Sequence, residues 1–99
     1  MYSEERVKEE LEELKYYYQQ KDKLDVYLTE LSSSVINELI EKYSKIISCA
    51  PIKLYHVYVG LYMKGWSQIA LAREMGYTRY YVQILNGRLI QYLKESLDK

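Results

Sequence analysis

The stretch Ser67-Gln68-Ile69-Ala70-Leu71-Ala72-Arg73-Glu74-Met75-Gly76-Tyr77-Thr78-Arg79-Tyr80-Tyr81-Val82-Gln83-Ile84-Leu85 decides how this chain folds. Ser67 can cap a helix of about two turns, Gln68 to Met75, because its hydroxyl accepts from the free N–H groups of a first turn. Gly76 supplies the left-handed residue that closes that helix, and Thr78 caps the next one at once. Two helices joined by a three-residue turn with glycine first have the geometry of a helix-turn-helix, whose second helix enters the major groove of DNA. Leu71, Ala72 and Met75 of the first helix, Tyr77 of the turn, and Val82 and Leu85 of the second take the inward positions. Ala72 is small where the helices cross, and a larger residue there would force them apart.

Upstream of this unit, Pro51 pushes Ala50 out of the helical region and starts a helix near Ile52 to Met63. Leu54, Val57, Tyr58 and Leu61 share one side of it, and it stops near Gly65. Residues 50–99 therefore read as a three-helix domain that binds DNA through its helix-turn-helix. In residues 1–49, Ser3 caps a helix whose first turn holds Glu4 and Glu5, the sign of charge that a helix N-terminus favours. Val7, Leu14, Lys21, Leu28 and Val35 recur by sevens, with Tyr17, Leu24 and Leu31 between them and Leu11 and Tyr18 beside them, which is a coiled-coil-like seam. The weakest helical stretch, Ser32-Ser33-Ser34, suits a turn, after which Val35, Ile36, Leu39, Ile40, Tyr43, Ile46 and Ile47 form a second stripe supported by the pairs Glu38–Lys42 and Glu41–Lys45. The acidic segment is then either a helical hairpin or one long rod whose seam joins a second copy through Val7, Leu14, Leu24, Leu28 and Leu31.

The chain has 99 residues, 48% of them hydrophobic and 28% charged, with four glycines and one proline. That suits one all-α domain in two parts, 1–49 and 50–99, long enough to bury a core and poor in the residues that loops and all-β folds require. Its net charge of zero hides a division, since residues 1–49 hold seven Lys or Arg against eleven Asp or Glu and residues 50–99 hold seven against three. The basic half is the one suited to phosphate. Cys49 stands alone and the polar start lacks a secretory pattern, which predicts a cytoplasmic protein. The longest apolar run, Val57 to Met63, is too short to span a bilayer.

On the helix that follows Thr78 the buried line is Val82, Leu85, Leu89 and Leu93, which turns Tyr80, Gln83, Ile84 and Gly87 outward with Arg79 and Arg88 on the flanks. Gln83 can bind adenine in a bidentate manner, Arg79 a guanine or a phosphate, and Ile84 or Tyr80 a thymine methyl. Ser67, Gln68 and Thr78 stand where free helix N–H groups favour phosphate, and Tyr81 completes the candidate set; Lys53, Lys64, Arg73 and Arg88 add positive charge. The competing reading has Tyr80 and Ile84 covering the core or a partner helix, and the caps and lysines doing no more than ordinary surface work. His56 and Cys49 have no second pair, so a structural role outweighs metal binding, and no metal or cofactor is expected. Glu9, Glu10, Glu12 and Glu13 form a solvated helix face rather than paired catalytic carboxylates, and with no phosphate loop or nucleophile elbow the chain is not expected to be an enzyme.

Gly65-Trp66-Ser67 through Leu71-Ala72 and Gly76-Tyr77-Thr78 to Val82 resembles region four of sigma-70-type factors, and the continuation to Arg88 is similar to the short sigma-region-four-like proteins of phages and prophages, the ArpU/RinA-type late transcription regulators. The chain departs from that pattern at Ala70, where sigma region four commonly has glutamate, and it lacks the other sigma regions. The resemblance implies a fold with a helical N-terminal segment before a region-four-like head. It also implies a regulator in a bacterial host cell, with double-stranded DNA as partner and RNA polymerase as a further contact. The other function class is a protein-interaction or assembly module built on the same shape, such as a small packaging component or a polymerase-binding protein.

Overall fold

The computed structural model describes residues 1–20 and 26–99, with side chains described for 1–20 and 36–99, and every regular element among them is helical. In chain order these are α1 (Glu4–Gln20), α2 (Val26–Ile47), α3 (Ile52–Tyr58) continued by a π-helical turn (Val59–Met63), α4 (Gln68–Met75) and α5 (Arg79–Leu97). No helix among the described residues is long and apolar enough to cross a membrane.

Helix α1 starts as Ser3 dictates, with its Oγ accepting from the Arg6 N–H at 3.1 Å. Its apolar side, Val7, Leu11 and Leu14, is 0% exposed, and the helix packs against the π turn, α5 and α2. The expected seam to a second copy is thus corrected at Val7 and Leu14, which are consumed inside one chain. Lys21, Leu24, Leu28, Leu31 and Val35 lie outside the described side chains.

The turn expected at Ser32-Ser33-Ser34 is not there, since α2 runs unbroken through those residues. A serine costs a helix only a few tenths of a kcal/mol relative to the best formers, which flanking turns readily offset. The C-terminal half of α2 packs against the first turns of α1. Tyr43, fully buried, donates its hydroxyl proton to Glu10 Oε1 at 2.7 Å. Lys42, expected to pair with Glu38 along its own helix, reaches Glu10 at 3.5 Å and the Tyr2 hydroxyl instead. The Tyr2 N–H in turn donates to Asp98 Oδ1 at 2.7 Å, which ties the two chain ends together.

All helices feed one core. Leu39 and Ile47 of α2, Leu54 and Val57 of α3, Leu71 and Ala72 of α4, and Val82, Leu85, Leu89, Ile90 and Leu93 of α5 join the α1 stripe in a single cluster. The acidic segment 1–49 and the basic segment 50–99 are therefore packed together; of the expected inward residues, Leu71, Ala72, Val82 and Leu85 are buried and Met75 and Tyr77 half-buried. The helix expected from Ile52 to Met63 forms but widens over its last turn, where the Lys64 N–H donates to the Val59 carbonyl at 2.8 Å and the Trp66 N–H to the Gly60 carbonyl at 2.9 Å. Gly60 in that turn is buried against Leu71 of α4, and a Cβ on it would lie 2.6 Å from Leu71 Cδ1. The missing side chain lets the two elements touch.

Among the described residues three tyrosines bring hydroxyls into this core. Tyr62 donates to Asn86 Oδ1 at 2.7 Å, Tyr43 has Glu10, and the Tyr58 hydroxyl has no hydrogen-bond partner among the described residues. Burial pushes the Tyr62 hydroxyl up to about 12, against a lowering by the Asn86 bond, and it holds Tyr43 and Tyr58 well above the usual tyrosine range.

Two outcomes follow from this packing. Leu11→Ala should cost about 2–5 kcal/mol through the cavity it leaves, and urea unfolding followed by circular dichroism should show the whole chain losing stability in one transition. In alkali, unfolded tyrosines ionise near about pH 10 while the buried ones keep their protons, so the native state binds more protons there. Stability should be intact below about pH 10 and fall as pH rises toward 12, with tyrosinate absorbance appearing in two steps, the second coincident with unfolding.

Candidate nucleic-acid interface

The two caps that start α4 and α5 form as the residues require. Ser67 Oγ accepts from the Ala70 N–H and Thr78 Oγ1 from the Tyr81 N–H, each at 3.1 Å. Between them Gly76 adopts φ 72° and ψ 29°, and the Tyr77 N–H returns to the Ala72 carbonyl at 2.8 Å. That is the left-handed closure that points α5 away from α4 after three residues. Nothing lies within 4 Å of the place a Cβ on Gly76 would take, so glycine is required there by the backbone and not by space.

Along α5 the inward line Val82, Leu85, Leu89 and Leu93 is at most 2% exposed. Opposite it, Arg79, Tyr80, Gln83, Gly87 and Arg88 are open to solvent and Ile84 is half-buried. Tyr80 is the most prominent of these at 71% exposure. The outward face is therefore a strip with an amide, a phenol and a glycine along it, and a guanidinium on either side. Ser67 and Thr78 are exposed at the two helix starts, with Gln68 half-buried beside the first.

Tyr81 departs from the candidate set. Its ring packs edge-on against Tyr77 with centroids 4.8 Å apart, and its hydroxyl accepts from Lys53 Nζ at 3.2 Å. The Lys53 ammonium lies over both rings, 5.7 Å from the Tyr77 centroid and 5.6 Å from that of Tyr81. The bond to Tyr81, together with the neighbouring phenols, raises the Lys53 pKa. Tyr81 and Lys53 thus brace the turn from the flank, where α3 begins, and leave the outward face to the other residues.

Three neighbours were not legible in the sequence. Lys15 and Glu12 of the acidic helix line a small cleft of about 190 Å³ with Trp66, Ser67, Gln68 and Asn86, so α1 borders the start of α4. Gln19 strengthens this edge, its Nε2 donating to the Met63 carbonyl at 3.3 Å. Ile69, on the first turn of α4, is 49% exposed. Only the docking of α1 reveals the first pair, and nothing in the period of α4 singled out the isoleucine.

No family model matches this chain, and no curated protein and no solved structure matches it either.

Gly76→Val should destabilise by about 1–2 kcal/mol, the cost of a left-handed conformation in a residue with a Cβ. Gly76→Asn, which tolerates that region better, should cost less. Thermal melts of the two variants beside the parent provide the comparison, and equal melting temperatures for all three would remove the left-handed closure.

Proposed function

We propose that this chain is a DNA-binding transcriptional regulator of a phage or prophage, with α4, its turn and α5 acting as a sigma-region-four-like reading head. The observation that supports this most is the outward face of α5. It carries Arg79, Tyr80, Gln83 and Arg88 in the open, on a helix fixed from behind by its core line. Groove readout needs polar side chains presented from a backbone that does not yield, since a bidentate bond to a base edge tolerates little displacement.

In this reading Gln83 addresses an adenine, Arg79 a guanine or phosphate, Tyr80 a thymine methyl, and Arg88 a phosphate at the far flank. Ser67, Gln68 and Thr78 meet the duplex backbone at the two helix starts. The acidic helices brace the head and offer a surface to RNA polymerase. The second reading, a protein-assembly module, draws on Tyr80 and Ile69, whose exposed apolar surface suits a protein partner as well as a duplex.

Salt separates the two, because neutralising phosphates releases counterions and association with a protein does not. Fluorescence anisotropy on fragments selected from phage and host DNA should give an affinity that falls steeply with salt. Gln83→Ala should lose about 1–3 kcal/mol at one base pair and relax the preference there. Arg88→Ala should weaken binding to every duplex alike and reduce the salt slope by about one. Absence of any salt-dependent binding to duplex DNA in the parent chain sinks the regulator reading and leaves the assembly module.

A further inference from the structure

A cleft of about 450 Å³ opens on the side of the head formed by α3, the π turn and α4. Its size lies within the range of small-molecule sites. Three rings from three separate stretches wall it: Tyr55 of α3, Trp66 ahead of α4, and Tyr77 of the turn. Leu71, buried, and Met75, half-buried, supply apolar lining. The Tyr77 wall is held in place by its edge-on contact with Tyr81.

The charged groups of the cleft are Lys64 and Glu74, with the His56 imidazole also present. The Lys64 ammonium lies 4.8 Å from the centre of the Trp66 ring. Lys64 and Glu74 are both exposed, and among the described residues neither has an ion-pair partner. The cleft thus combines an aromatic, apolar interior with one unpaired charge of each sign.

We propose that this cleft binds a small aromatic zwitterion, with the chemistry of an aromatic amino acid. The ring of the ligand stacks among Trp66, Tyr55 and Tyr77, its carboxylate meets Lys64 and its ammonium meets Glu74. Other ligand classes fit the same residues less well. A purely apolar molecule leaves both charges unused. An organic cation drawn to the rings is repelled by the ammonium that already covers Trp66. A monoanion or a nucleotide-like polyanion gains one lysine and meets the Glu74 carboxylate. The site contains none of Arg79, Gln83 or Arg88, so it stands or falls separately from the reading of the α5 face.

Trp66 is the single tryptophan of the chain, which makes its emission a local reporter of the cleft. Titration of the whole chain with L-phenylalanine should change that emission saturably, with half-saturation on the order of 1 mM. Phenethylamine, which lacks the carboxylate, and hydrocinnamate, which lacks the ammonium, should each bind at least about tenfold more weakly. Glycine, a zwitterion without a ring, should give no saturable change. Lys64→Gln should erase the preference for phenylalanine over phenethylamine, and Glu74→Gln that over hydrocinnamate; both side chains are exposed, and thermal melts check that the fold is kept. The comparison of ligands on the unaltered chain already decides the matter. No saturable response to phenylalanine, or equal responses to phenylalanine and either analogue, overturns the proposal.

Discussion

Val7, Leu11 and Leu14 lie on one side of α1 and close the core that the other helices leave open. Each buried side chain of this type contributes about 1.5–3 kcal/mol, so the three together approach the whole net stability of a small domain, about 5–15 kcal/mol. Helix α1 packs against the π turn and α5 as well as α2, which places the acidic helix beside the elements that border α4 and carry its neighbour α5. Gln19, at the far end of α1, reaches the carbonyl of Met63 just before the loop that leads into α4. The approach to α4 is consequently tied to a helix far away in sequence.

A second constraint is the abundance of tyrosine and the absence of phenylalanine. Each large ring that enters the core brings a hydroxyl that must find an acceptor or lose its hydration without return. Tyr43 finds Glu10 and Tyr62 finds Asn86, and in doing so each links two helices. Around Glu10 the links multiply, with Arg6 at 3.6 Å and Lys42 at 3.5 Å, and the ring of Tyr2 beneath the Arg6 guanidinium at 4.1 Å. Such partly exposed charge contacts contribute little individually, yet they fix which faces of α1 and α2 meet.

The outward face of α5 owes its character to division of labour on one helix. Residues that repeat toward the core fix the backbone, and those between them are free to be polar. Glycine at 76 and the caps at 67 and 78 set the angle at which this face emerges. The flank formed by Lys53, Tyr77 and Tyr81 stiffens the turn and also supports one wall of the aromatic cleft.

By itself the sequence determined the features governed by neighbours within a turn or two of helix. Ser3, Ser67 and Thr78 cap because a hydroxyl there meets free N–H groups, Gly76 closes α4 because only a residue without a Cβ takes that backbone cheaply, and the period of Val82, Leu85, Leu89 and Leu93 settles which side of α5 is buried. The N-terminal half is less legible, because serine lowers helix propensity too little to break α2 at Ser32-Ser33-Ser34. Tertiary structure alone decided that α1 spends Val7 and Leu14 inside its own chain, that Lys42 chooses Glu10 over Glu38, that Tyr81 turns to Lys53, and that Tyr55, Trp66 and Tyr77 surround a cleft. These contacts join residues on different helices, and periodicity specifies which side of a helix is apolar without specifying which other helix will cover it.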